Sequence, residues 1–215
     1  MNFSKTLIAA ATVTVLTSVA QAEVKTDGLL EIYGRASFSV DQLDDGDKYK
    51  RMNLSSNASR LGFRGSKKIG ELTGIWQIEQ EIQFNLSNGN TETNTFDKKD
   101  TNNRLASRDT FAGLQGDFGT VTLGRQYTSY FLALNQVADP FASGLAGNAQ
   151  NLMLPGASNA ITNADRAIRM DNAIKYATPI FENFSGEIAY GFGEVASDSE
   201  ASRVISASVG YDSKP

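Results

Sequence analysis

Glu79 and Glu81 are the nearest thing to a catalytic pair in this 215-residue chain. Paired carboxylates can divide the acid and base work of glycoside hydrolysis when their surroundings push their protonation apart. These two stand two positions apart in the alternating run from Leu72 to Phe84. They therefore project to the same side of one strand and share one environment. The sequence holds no histidine and no cysteine, which removes imidazole and thiolate metal sites, disulfides and every nucleophile relay built on either residue. The expectation is a protein that is not an enzyme, with no catalytic residue, cofactor or metal.

The remaining charged side chains with a pattern are arginines. Arg35 lies in Leu30-Glu31-Ile32-Tyr33-Gly34-Arg35-Ala36-Ser37-Phe38-Ser39-Val40-Asp41, where even positions are apolar or glycine and odd positions can face water. Arg60 and Arg64 alternate with Leu61 and Phe63, and Glu79 and Glu81 alternate with Ile78 and Ile82. Strict alternation describes strands with one wet face and one apolar face. The first run is about as long as the ~9–11 residues a tilted strand needs to cross a bilayer. Arg or Lys facing lipid at mid-membrane costs about 2–4 kcal/mol, so Arg35, Arg60 and Arg64 are expected to point inward, toward a watery passage.

The elements that position these residues follow an export signal. Met1 to Ala22 carries one cation, Lys5, an apolar small-residue stretch and the Ala20-Gln21-Ala22 cleavage pattern. Residues 1–22 are expected to be a secretory signal peptide, with the mature chain starting at Glu23. Mean hydropathy is -0.29 and the net charge is -4. The first value fits a barrel that alternates between lipid and water, and the slight acidity points away from nucleic acid.

Eight strands are expected: Leu30 to Asp41, Ser59 to Ser66, Leu72 to Phe84, Arg104 to Leu114, Thr120 to Arg125, Arg169 to Thr178, Ser185 to Glu194 and Ser202 to Asp212. Short and long connections alternate among the first five. Asp41 to Asn53 and Asn85 to Asn103 are charged or polar and are expected as loops, with a tight turn at Lys67-Lys68-Ile69-Gly70. Residues 127–166, about forty, carry no strand pattern, although Tyr127 to Phe141 could hold a short helix. Connections beyond ~12–15 residues are usually functional, and Phe131, Leu132, Leu134 and Phe141 call for something to pack against.

The strings Glu31-Ile32-Tyr33-Gly34-Arg35, Ser59-Arg60-Leu61-Gly62-Phe63-Arg64-Gly65, Phe111-Ala112-Gly113-Leu114, Gly119-Thr120-Val121-Thr122-Leu123-Gly124-Arg125-Gln126 and Arg169-Met170-Asp171-Asn172-Ala173-Ile174-Lys175-Tyr176 resemble, in order, the general bacterial porins of the Gram-negative outer membrane. That resemblance implies an all-β transmembrane antiparallel barrel, sixteen-stranded in the family, of which residues 23–215 supply the N-terminal portion. It implies a homotrimer among outer-membrane lipids and lipopolysaccharide, passing small hydrophilic solutes and ions by passive diffusion. The third long loop would fold inward to form a constriction. Arg35, Arg60, Arg108 and Arg169 match the family's wall cations, and Glu79 matches a lumen-facing acid. Arg64 and Glu81 join the lumen candidates by alternation. Asp139 falls near the acidic loop motif, where it could instead initiate the turn before Pro140.

Arg125 shares a face with Val121 and Leu123, and Gln80 with Ile78 and Ile82, so both look toward lipid. Either they lie near the rims or another subunit covers that wall, and the family's trimer contact through its first strands favours the latter. A closed barrel of eight strands has an interior filled by its own side chains, leaving no space for a forty-residue loop. The chain is therefore expected to be part of a longer barrel, unable by itself to close or conduct.

Overall fold

In the computed structural model, the structure describes residues 15–26, 28–44, 50–56, 58–82, 106–138, 168–193 and 203–213. They form ten strands and one helix: β1 (Val15–Thr26), β2 (Leu30–Asp44), β3 (Lys50–Ser56), β4 (Arg60–Ile69), β5 (Leu72–Glu81), β6 (Thr110–Gly116), β7 (Gly119–Tyr127), α1 (Ser129–Ala138), β8 (Arg169–Ala177), β9 (Phe184–Gly191) and β10 (Val204–Tyr211). All strands join one antiparallel sheet in the order β1-β2-β4-β5-β6-β7-β8-β9-β10, with β3 also paired to β2. The sheet is open, with β1 and β10 at its two ends.

The faces of this sheet are reversed relative to a water-soluble sandwich. The register places Phe63 opposite both Ile32 and Ile78, and Leu123 opposite both Ala112 and Ile174. Ile188 faces Tyr176 and Ala207 in the same way. These residues share one apolar face, because side chains directly opposite lie on the same side of the pleat. That face is the open one: Leu123 is 57%, Ile205 67% and Val209 82% exposed. The buried residues are mostly polar, including Ser37, Ser59, Glu79, Arg108, Asp109, Thr122, Gln126 and Ser206. A two-period pattern with its polar face enclosed and its apolar face outermost is the wall of a transmembrane barrel. At the short-turn end, the Phe184 and Tyr211 rings pack at a tilt of 46° with centroids 4.8 Å apart, and the Tyr176 hydroxyl donates to the Phe118 carbonyl. Aromatic rings with one polar tip suit the level of the lipid headgroups.

Several expected boundaries move. The stretch from Asp41 to Asn53 is not wholly loop, since Asp41 to Asp44 pair with Lys50 to Asn53. Asp41 and Asp44 put charge at both odd and even positions, which hid this strand from a two-residue periodicity. β4 runs through Lys67, Lys68 and Ile69, and the reversal is Gly70-Glu71. β6 starts at Thr110, leaving residues 106–109 outside the ladder, with Ala106 at φ 74°. The tally of eight rises to ten through β1 and β3. β1 begins inside the expected signal peptide, and Glu23 to Thr26 pair with Tyr33 to Leu30.

β3 and β4 are one interrupted strand on the same edge of β2. Arg35 pairs with Arg60, but Phe38 pairs with Ser56, so one extra residue bulges between them. Ala58 takes φ 54° in this bulge. Ser59 restores the lost ladder bonds: its hydroxyl donates to the Ser37 carbonyl at 2.8 Å and accepts the Ser37 N–H at 2.9 Å. α1 follows β7 directly and is capped by Thr128, whose Oγ1 accepts the Phe131 N–H. The Tyr130 N–H donates to Ser206 Oγ at 2.9 Å. Ser206 lies opposite Ala189, and both are buried on the inner side. The segment after β7 therefore starts as a helix laid against the inner face, as the apolar residues Phe131 and Leu132 required.

Candidate functional site

The inner faces of β2, β4 and β5 bring Tyr33, Gly62 and Glu79 into one cross-strand row, and Arg35, Arg60 and Glu81 into the next. Glu79 is the hub. It is 5% exposed, its Oε1 accepts from Arg108 Nε at 2.5 Å, and its Oε2 accepts from the Tyr33 hydroxyl at 2.8 Å. Arg60 Nε lies 3.6 Å from the same Oε2. Arg108 extends the chain of charges, with Nη1 at 3.4 Å from Glu81 Oε2 and Nη2 donating to the Tyr127 hydroxyl at 2.5 Å. Arg169 Nη2 donates to that same hydroxyl at 2.5 Å, and its Nε donates to Asp109 Oδ1 at 3.1 Å. Cations and acids thus alternate from β4 to β8 along the enclosed face. Each buried charge meets an opposite charge or a hydrogen-bonding partner, as burial requires.

Gly62 makes the hub possible. A Cβ there would lie 2.1 Å from Tyr33 Cζ, because the Tyr33 ring crosses directly over Gly62 to reach Glu79. Replacement Gly62→Ala is expected to cost about 1–3 kcal/mol, the usual penalty of overpacking, by driving the ring off the glycine and breaking its bond to Glu79. Urea titration of the folded protein checks this, and the loss should shrink when Tyr33→Ala is added.

Five of the expected site residues, Arg60, Glu79, Glu81, Arg108 and Arg169, come together. Arg64 does not join them. Its guanidinium lies over the Tyr33 ring, 4.9 Å from the centroid, and pairs with Glu31 and, at 3.7 Å, with Glu23. Arg35 stands opposite Arg60 in register. Asp139 lies outside the described residues, as does the rest of the long connection from 139 to 167. Tyr33, Tyr127 and Asp109 are site residues that alternation alone did not single out. The signal for the first was a tyrosine on a strand facing a Gly flanked by arginines. For Asp109, the neighbouring Arg108 implied opposite faces on a regular strand, and only the break in β6 lets both be buried.

Arg125 and Gln80 lie on the outward face, opposite Thr110 and Leu61 respectively. Both brace the same break. Arg125 Nε donates to the Ser107 carbonyl at 3.0 Å, and Gln80 Oε1 accepts the Ser107 N–H at 3.2 Å. They replace ladder bonds that residue 107 cannot make with a regular strand. Arg125 also pairs with Asp171 at 2.6 Å. Among the described residues no group of three or more His, Cys, Asp or Glu is placed to hold a metal ion.

A family model described as Gram-negative porin matches residues 6–215. The chain is 31% identical to an outer membrane porin protein of Bordetella pertussis, over 92% of this chain and 50% of that protein. It is 30% identical to a chitoporin of Vibrio furnissii over 88% of this chain and 48% of that protein. The chain spans about half the length of the curated relatives it matches. Among solved structures, an anion-selective porin from Comamonas acidovorans superposes with a TM-score of 0.63 at 25% identity, covering 93% of this chain and 55% of that one. These matches run the length of the sheet, and they agree with a wall whose apolar side is outermost. The chain belongs to the Gram-negative porins, proteins of the outer membrane.

Proposed function

We propose that the full-length protein is a passive diffusion channel for small hydrophilic solutes and ions, and that the charged row from Arg60 to Arg169 lies at its constriction. The observation that carries this reading is the enclosed polar face, on which arginines and carboxylates line up where a soluble protein would place leucines. Unit charges 4 Å apart interact by roughly 4 kcal/mol at an effective dielectric of 20. The screening length at physiological salt is about 8 Å, so a narrow opening feels these charges across its width. Such a field orients polar solutes and disfavours bulky apolar ones, with no covalent step. Arg35, Arg60, Arg108 and Arg169 are read as the wall cations, α1 carries the chain inward, and Asp139, outside the described residues, is read as the loop acid. The anion-selective relative supports a preference for anions.

Residues 1–22 are read as a signal removed on export, after which Glu23 to Thr26 remain as the first paired residues beside β2. The functional unit is read as a homotrimer in outer-membrane lipid and lipopolysaccharide, with Arg125 and Gln80 on the wall that meets a neighbour. In a closed barrel the outer edges of β1 and β10 would each be paired, since lipid tolerates no open edge. Planar-bilayer recording on the full-length protein tests the channel. Stepwise, ohmic conductance with a reversal potential on the anion side is expected. Folded, correctly inserted protein that carries no current would refute it.

A further inference from the structure

The Tyr127 phenol oxygen occupies an unusual position. It accepts an N–H from Arg108 and another from Arg169, each at 2.5 Å, and the Arg169 guanidinium also lies 4.2 Å from the Tyr127 ring centroid. Two guanidiniums converging on one oxygen make the geometry with which arginines bind a carboxylate or phosphate. Here a neutral side chain of the protein fills that place. The ring is in turn held by Phe131 of α1, stacked at 4.8 Å with an interplanar angle of 14°, so the hydroxyl is fixed where the wall meets the start of the inward helix.

We infer that Tyr127 is a resident stand-in for an anion: its hydroxyl holds Arg108 and Arg169 against the wall and keeps a permeating anion from lodging between them. The inference rests on the channel reading and deepens it. A channel must bind its ions weakly enough to release them, and one buried and one part-buried arginine offering convergent donors form a trap. Glu79, Glu81 and Asp109 balance the charge of these arginines, but none of them takes the two N–H groups that Tyr127 receives. The residue is thus a positioning residue for selectivity that acts through the two cations it orients.

The test uses the refolded full-length protein with Tyr127→Phe, which removes the hydroxyl and keeps the stack, and Tyr127→Ala, which opens the space. Inorganic phosphate is the probe, titrated calorimetrically in detergent and applied to chloride currents in bilayers. Tyr127→Ala is expected to gain a saturable phosphate site that the unaltered protein lacks. Tyr127→Phe is expected to shift the anion-to-cation permeability ratio by about twofold or more while its migration on unheated gels stays normal. A purely structural tyrosine would change the gel or the urea midpoint and leave both of these readouts alone. Absence of the phosphate site, or an unchanged ratio, overturns the inference. If the unaltered protein carries no current, the channel reading fails instead, and the calorimetric titration still decides the role of Tyr127.

Discussion

Replacing Glu79 by alanine is expected to remove about 3–5 kcal/mol of folding stability, the cost of leaving a buried charge without its partner. The side chain of Arg108 is only 5% exposed, and Glu79 supplies its shortest ionic contact. Without that carboxylate, the Arg108 side chain keeps, among the described residues, Glu81 at 3.4 Å and the Tyr127 hydroxyl. Tyr33 also loses its acceptor, and Arg60 loses the carboxylate 3.6 Å away. Glu79→Gln preserves the shape and one acceptor oxygen, so its loss should be smaller than that of alanine. Arg64→Ala is the contrasting substitution. Its side chain is 48% exposed, and partly exposed ion pairs contribute about 0–1 kcal/mol. Urea unfolding of the full-length protein in detergent, followed by gel migration without heating, measures all three. Equal midpoints for Glu79→Ala and Arg64→Ala would show that the hub is not buried in the working protein.

The walls were legible because one rule of spacing governs them. Ile32, Phe63 and Ile78 alternate with Tyr33, Arg64 and Glu79, and the register aligns them as the pattern demands. The inward helix was legible for a related reason, since a long connection carrying Phe131 and Leu132 had to bury them. Three features were hidden. The hairpin end at Asp41 to Asp44 carries charge at both odd and even positions, so periodicity could not separate it from a loop. The break at residues 106–109 depends on Ala106 adopting a left-handed backbone and on Gln80 and Arg125 reaching Ser107 from neighbouring strands, which no local pattern encodes. Tyr127 belongs to the site through contacts with Arg108 and Arg169, 19 and 42 residues away. A register shift between Gly124 and Gln126 sets its final pairing with Arg169. Gly124 permits the bend, at φ 133° with no room for a Cβ beside the Thr110 carbonyl.

Leu123→Arg tests the orientation of the wall. Leu123 lies four residues beyond the start of β7, roughly 10 Å from the turn for a tilted strand rising ~3.4 Å per residue. That is well inside an apolar band about 25 Å tall. On a soluble protein, an exposed leucine away from special features can be exchanged at a cost within about 0.5 kcal/mol. In a bilayer, the same arginine near the midplane costs about 2–4 kcal/mol. Gln77→Arg is the matched control, because Gln77 shares the enclosed face with Arg64, directly opposite it. The decisive measurement is urea-dependent unfolding of the full-length protein and these two variants in phospholipid vesicles. A loss of about 2–4 kcal/mol for Leu123→Arg, with a clearly smaller loss for Gln77→Arg, is the expected result. An unperturbed Leu123→Arg, or the larger penalty at Gln77, would mean that the apolar face does not meet lipid.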